Sequence, residues 1–283
     1  MKPHTSAGRR ADVRRILLSR WAVMIASGIL CIACGATQTA TATKAGDASV
    51  PDADPSSARQ PVLVELFTSE GCSDCPPADA LLARLSSTQF VPGAEAIVLS
   101  EHVTYWNYLG WSDPFSLEEM SQRQSQYAMR FGLDSVYTPQ AVVDGASQVL
   151  GSDSAALSHA VAGATQKQKP ALRIEGAHWD GRAIGFAVKT PEGVHGVLTV
   201  ALAEDATQSS VGRGENAGRA LHHVAVVRAM KSMGRNKVEE EPLVLEVGGL
   251  KSPIGHAFHL VVFLTDEPEG RVLSVAEVPI TRP

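Results

Sequence analysis

The chain has 283 residues, 44% of them hydrophobic and 19% charged, which suits one large globular domain or two modest ones. Its net charge of −5 and pI of about 6.0 supply no basic field, so composition argues against a nucleic-acid partner. Four cysteines stand in two C-x-x-C pairs, and the two pairs read differently.

The first pair, Cys31 and Cys34, lies in the apolar run "WAVMIASGILCIAC" behind Arg9, Arg10, Arg14, Arg15 and Arg20. A basic start followed by a short apolar stretch is the pattern of an export signal, and the stretch is short for a membrane span. Residues 1–34 therefore read as a signal peptide or a lipoprotein signal. Small residues around Cys34 suit ordinary cleavage, and Cys34 followed by Gly35 also suits lipid attachment, although Cys31 stands where lipoprotein signals usually carry Leu. Either ending implies an exported protein, periplasmic or anchored to the membrane facing the periplasm, in a compartment where disulfides persist. Residues 35–60 are small, polar and Pro-containing, and read as a flexible linker.

Residues 61–169 alternate strand and helix patterns. "PVLVELF" is a continuous apolar run, as expected of a strand buried on both faces. The turn "TSEGCSDC" follows, and "ADALLARL" has helical spacing. Pro76 and Pro77 are tolerated in a first helical turn, with Ser73 or Asp74 as N-cap. "AEAIVLSEHV" reads as a second strand. "SLEEMSQRQSQYAMRF" reads as a helix with a Ser116–Glu119 capping box and an apolar stripe interrupted by Gln124. "PQAVVDGASQVLG" reads as a hairpin turned at Asp144-Gly145, and "SDSAALSHAVAGATQKQ" as a helix capped by Ser152 or Asp153. From residue 170 to 283 the helical period gives way to seven strand-like runs, the pattern of an all-β, sandwich-like domain. The expectation is thus α/β, with a second, all-β domain.

The chemistry is concentrated in Cys72 and Cys75. A thiol at a helix N-terminus meets the positive end of the helix dipole, which favours thiolate. Two intervening residues let the second sulfur close a disulfide on the first, so Cys72 is the candidate nucleophile and Cys75 the resolving thiol. Glu70, Asp74 and Asp79 surround the pair, and nearby carboxylates oppose thiolate formation. A Cys72 thiol close to ordinary acidity is expected from that balance. A structural disulfide clip is the competing reading.

The order of elements, the Cys turn and "VYTPQ" resemble the thioredoxin fold. The motifs "LFTSEGCSDCPPAD", "HVTYWNYLGWSDPF", "YTPQAVVDG" and "GENAGRALHHVAVVRA", in that order, are similar to a bacterial thioredoxin-like family catalogued as domain of unknown function number 1223. The resemblance implies a cis peptide bond at Pro139 facing the disulfide, and Thr138 offering backbone groups to a bound peptide. Ordinary thioredoxins carry a buried acid about one residue closer to the first Cys, so with one extra loop residue the resemblance also implies that Glu65 moves protons for Cys75; the alternative is a Glu at the strand edge reaching water or a Lys. The chain departs from ordinary thioredoxins at Ser73-Asp74 between the cysteines, and at Gly71, where a Trp is usual.

Other features carry alternatives. "TYWNYLGWSDPF" is dense in aromatics, and Trp106 and Trp111 are candidates either for substrate binding or for packing near the Cys pair. Two thiolates with His102 would suit copper or zinc, against a thiol-exchange reading that needs no cofactor and in which His102 is a hydrogen-bonded core histidine. The basic segment from Arg213 to Lys237 reads as a hairpin loop, expected to face the Cys turn and restrict access to it. No G-x-S-x-G or H-E-x-x-H motif supports a hydrolase. The leading expectation is thiol-disulfide exchange with an extracytoplasmic protein partner.

Overall fold

The computed structural model describes residues 59–190, 193–235, 242–250 and 254–283. The expected signal segment with Cys31 and Cys34, nearly all of the linker, and Lys237 lie outside the described residues. The first half runs β1 (Gln60–Thr68), α1 (Pro76–Thr88), β2 (Ala94–His102), a short 3-10 turn (Asn107–Leu109), α2 (Glu118–Phe131), β3 (Gln140–Val143), β4 (Ser147–Leu150) and α3 (Ser154–Ala164). The second half is strands alone: β5 (Arg173–Trp179), β6 (Ala183–Lys189), β7 (Val197–Ser210), β8 (Ala220–Arg235), β9 (Leu243–Glu246), β10 (Ala257–Thr265) and β11 (Val272–Thr281). No helix among the described residues is long and apolar enough to cross a membrane.

Two expected helix starts are corrected. The cap of α1 is Cys75 itself, with neither Ser73 nor Asp74 bonded to its free amides, and Pro76 and Pro77 occupy the first two helical positions. Proline needs no acceptor there, so the turn costs little. The Ser116–Glu119 capping box does not form. Ser116 instead donates to the Asp113 carbonyl at 2.8 Å, Leu117 is the cap residue, and Glu118 and Glu119 face the positive end of the helix. The α3 cap is as expected, with Asp153 accepting from the amides of Ala155 and Ala156.

The strands do not separate at residue 170. One eight-stranded mixed sheet has the order β11-β10-β7-β8-β2-β1-β3-β4, so strands from both halves of the chain lie side by side. The junction is a parallel bridge between Ser100 of β2 and Val226 of β8. The described residues form one compact unit. A second, three-stranded sheet β5-β6-β9 packs on β7 and β10 through Ile184, Phe186, Val200, Leu202, Leu260 and Val262. Sequence patterning missed the junction because β7 and β8 alternate like any antiparallel pair, and nothing local marks which edge of β8 finds β2.

β1 is buried on both faces, as its apolar run requires. Val62, Val64 and Leu66 face α1 and α3, against Leu82, Leu85 and Leu157. Leu63 faces the opposite way, into a core shared by Met120 of α2 and Val261 and Phe263 of β10. The β3–β4 turn also ties the halves together. Asp144 and Gly145 both have positive φ, the amide of Val272 donates to the Asp144 carbonyl at 2.8 Å, and a Cβ on Gly145 would overlap the Gly270 carbonyl oxygen. Gly145→Ala should therefore lower stability by at least about 2 kcal/mol in urea unfolding, from left-handed backbone strain plus that overlap. Unchanged stability would mean that the two halves do not meet at this turn.

Candidate functional site

Cys72 and Cys75 are joined in a disulfide at the start of α1, where β1 ends. The turn is closed by its own backbone, with the Cys75 amide donating to the Cys72 carbonyl at 3.3 Å and the Cys72 amide to the Ser69 carbonyl at 3.1 Å. Both cysteines are buried, at 2% and 0% exposure, while Ser73 and Asp74 between them are open to solvent. The Thr138-Pro139 peptide bond is cis, and the Thr138 carbonyl oxygen lies 3.9 Å from the Cys72 sulfur.

The segment that presents Thr138 is held from below by Gln124. Its amide donates to the Tyr137 carbonyl at 2.7 Å and to the Gln140 side chain at 3.0 Å, and its oxygen accepts from the Tyr105 hydroxyl. This accounts for the polar break in the α2 stripe: a buried amide needs partners, and the loop before β3 provides them. Trp106 donates to the Thr138 hydroxyl at 2.7 Å and packs on Gly71, where a Cβ would come within 3.0 Å of the Trp106 Cβ. The absence of a side chain at position 71 thus makes room for the Cβ and carbonyl of Trp106, in the segment after β2.

The β7–β8 hairpin closes over the turn from the other side. Asn216, almost wholly buried, donates to the carbonyl oxygens of Glu70 and Cys72, each at 2.9 Å. The Ser73 amide donates to the Glu215 carboxyl at 3.3 Å, and Arg219 fixes the Asn216 side chain from behind at 2.9 Å. Most of the basic segment expected as a hairpin loop is strand β8, and it is the 211–219 loop before it that faces the Cys turn, through Glu215 and Asn216, whereas Arg213 and Arg219 remain exposed. Trp111 fills the gap between Gly214 and Glu70, donating to the Glu70 carboxyl at 2.8 Å.

Beneath the turn is a buried polar cluster. Of the three acids expected around the pair, Glu70 and Asp79 are buried and Asp74 is exposed. His223 of β8 lies between them, its Nε2 3.3 Å from Glu70 and its Nδ1 3.5 Å from Asp79. The longer distance is poor for a hydrogen bond, so the attraction to Asp79 is mainly Coulombic. Burial alone would lower the His223 pKa, but the two carboxyl groups outweigh it and raise the pKa to about 10. Glu70 also accepts from Ser209, and Asp79 from the Thr68 hydroxyl at 2.8 Å.

His102, a candidate metal ligand, packs edge-on to the His223 ring at 4.6 Å and holds Asp113 through Nδ1 at 2.7 Å. Burial would raise the Asp113 carboxyl, yet the His102 ring and the amides of Glu70 and Phe115 hold it below the usual range. Among the described residues no group of three or more His, Cys, Asp or Glu side chains is arranged to hold a metal ion.

Glu65 lies elsewhere. It is on the β1 face that α2 covers, with Arg123 at 2.7 Å and the Tyr127 hydroxyl at 2.7 Å. Its alternation with Leu66 turns it away from α1, so the structure gives it Arg123 rather than Cys75 as a partner. Glu101 of β2 joins this cluster 3.7 Å from Arg123. Burial first, and the neighbouring Glu65 second, raise its pKa well above the ordinary carboxyl value despite Arg123. Asp113, Gln124 and Arg123 were missed by sequence reasoning, whereas Glu215-Asn216 stands out in the sequence as the hinge of a candidate docking segment. Only Gln124, as a polar break in an apolar stripe, left a signal there.

A folded pKa of about 10 against about 6.5 for a free imidazole fixes the sign of the pH dependence. The stabilisation from His223 should be full below about pH 6.5, decline as pH rises, and vanish above about 10. His223→Ala should cost about 3–5 kcal/mol near neutrality, because two buried carboxyl groups lose their counter-charge, and should flatten the alkaline slope. Urea titrations of both proteins between pH 6 and 10 test this; parallel profiles would place the charge elsewhere.

Comparison with known proteins supplies a family and a fold. A crystal structure of a protein from Agrobacterium tumefaciens superposes with a TM-score of 0.57 at 22% identity, covering 78% of this chain and 94% of that one. HBP35 of Porphyromonas gingivalis superposes with a TM-score of 0.51 at 14% identity, covering 78% of this chain and 76% of that one. At such identities the likeness concerns the fold alone. No curated protein matches the chain. The model of the protein family of unknown function DUF1223 matches residues 63–264, so the chain belongs to that family.

Proposed function

We propose that the protein is an exported, thioredoxin-like thiol-disulfide exchange protein whose redox centre is Cys72–Cys75. The observation that carries this reading is the disulfide at the start of α1 with the Thr138 carbonyl oxygen 3.9 Å from the Cys72 sulfur. In the reduced protein, the Cys72 thiolate attacks one sulfur of a partner disulfide and displaces the other as thiolate. Cys75, deprotonated, then attacks the Cys72 sulfur, closing the internal disulfide and releasing the partner's second thiolate. Two electrons pass from the Cys pair to the partner, and the reverse sequence oxidises a partner dithiol. No organic cofactor enters these steps.

Two features refine the expected chemistry. The charge on His223 offsets Glu70 and Asp79, so the helix terminus acts on Cys72 with less opposition than the acid count alone implies. Access is also restricted, because the 211–219 segment and Trp106 cover the turn. Thr138 offers its carbonyl to the backbone of an extended partner segment once the cover lifts. Glu65 has no role in this scheme, since its partners are Arg123 and Tyr127.

A chain cut near Lys169 would lose β8 and with it the neighbour of β2, so truncation cannot isolate the effect of the cover. Asn216→Ala removes two hydrogen bonds to the turn and leaves the sheet intact. At about 0.5–1.5 kcal/mol each, it should speed reduction of the disulfide by dithiothreitol about tenfold. Alkylation after partial reduction should label Cys72 before Cys75. Labelling of Cys75 first would reverse the assigned roles, and a disulfide that resists dithiothreitol in both proteins would make the pair a structural clip.

A further inference from the structure

At the opposite end of β1 from the Cys turn lies a half-open cleft of about 670 Å³, within the usual size of a small-molecule site. Val143, Val272 and Leu273 line it from the sheet, Ala160 and Ala164 from α3, and Val194 from the chain leading into β7. These walls are aliphatic, and among the described residues no Phe, Tyr or Trp lines the cleft to stack on a base or an aromatic ring.

The charge around the cleft is one-sided. Among the described residues Asp144 is the one carboxyl group lining it, and that group is already satisfied: it accepts from the Leu63 amide at 2.9 Å and pairs with Lys169 at 2.5 Å. Lys169 is likewise committed, donating also to the Pro61 carbonyl at 2.8 Å. Lys167, Arg271, His159 and His195 remain at the mouth, all exposed, and none is in an ion pair with a carboxyl group among the described residues. In a chain of net charge −5, Lys167 and Arg271 together at the mouth, with no unpaired carboxyl group among the described lining residues, make a local inversion of charge.

We propose that this cleft binds a single-chain anionic amphiphile, a free long-chain carboxylate, with its aliphatic tail between α3 and the start of β11 and its head group at Arg271 and Lys167. An aliphatic lining takes a tail and excludes water from it, while the two cations hold the head at the mouth, where it keeps part of its hydration. The site is separate from the Cys turn and does not depend on the redox reading.

Dodecanoate below its micelle concentration, titrated calorimetrically into the full chain, tests the proposal. Saturable one-to-one binding is expected. Lys167→Glu with Arg271→Glu should weaken it about tenfold, through reversal of two exposed charges. Ala160→Trp, which fills the cleft from α3, should abolish it while circular dichroism and dithiothreitol reduction stay unchanged. Dodecyltrimethylammonium, with the same tail and the opposite charge, should not bind. The proposal is overturned if dodecanoate fails to bind, if both amphiphiles bind equally, if Ala160→Trp leaves binding intact, or if only phosphatidylglycerol vesicles and not free dodecanoate are bound.

Discussion

The structure depends on one buried cation. His223, from the middle of the β half, reaches between Glu70 and Asp79, on either side of the two cysteines in sequence. None of the three could be buried and charged alone without a large desolvation cost. Together they fix where β8 meets the Cys turn, and that position brings Ser100 beside Val226 and Asn216 over the Cys72 carbonyl. The continuity of the sheet and the cover over the disulfide therefore have a common origin.

This arrangement shapes the chemistry proposed for the Cys pair. A disulfide at a strand-to-helix turn is ordinarily open to any thiol that can reach it. Here Asn216, Trp106 and Trp111 close in from two directions, and the exposed positions of the turn are Ser73 and Asp74. A partner has to displace the hairpin cover before it reaches sulfur, so selectivity would lie in the second half of the chain and reactivity in the first. The buried Glu65–Arg123–Glu101 cluster plays a different part, tying α2 to the sheet on the face away from the cysteines.

Much of this was legible in the sequence. The apolar run of β1, the Asp144-Gly145 turn, the helix starting at the cysteines and the seven later strands follow from local pattern, because each is set by residues within a few positions. The hairpin facing the Cys turn was suggested by opposite charge, yet the contact is made by a carboxyl and an amide rather than by the arginines. What could not be read was long-range pairing. Glu70 and Asp79 look like a solvated rim until His223, some 150 positions later, is placed between them. Ser116 and Glu119 have the spacing of a capping box, but Asp113 offers Ser116 a nearer partner. Glu65 reads as an acid near the thiols by spacing, while strand alternation sends it to Arg123.

The central claim is that Cys72 exchanges disulfides under the control of the covering hairpin. Its most direct test is the rate at which Cys75→Ser forms a mixed disulfide with 5,5′-dithiobis(2-nitrobenzoate), measured with and without Asn216→Ala. The account predicts a stable adduct at Cys72 in both proteins, formed faster when Asn216 is replaced. An adduct forming at the same rate in both would contradict control by the hairpin, and no adduct in either would contradict exchange at Cys72.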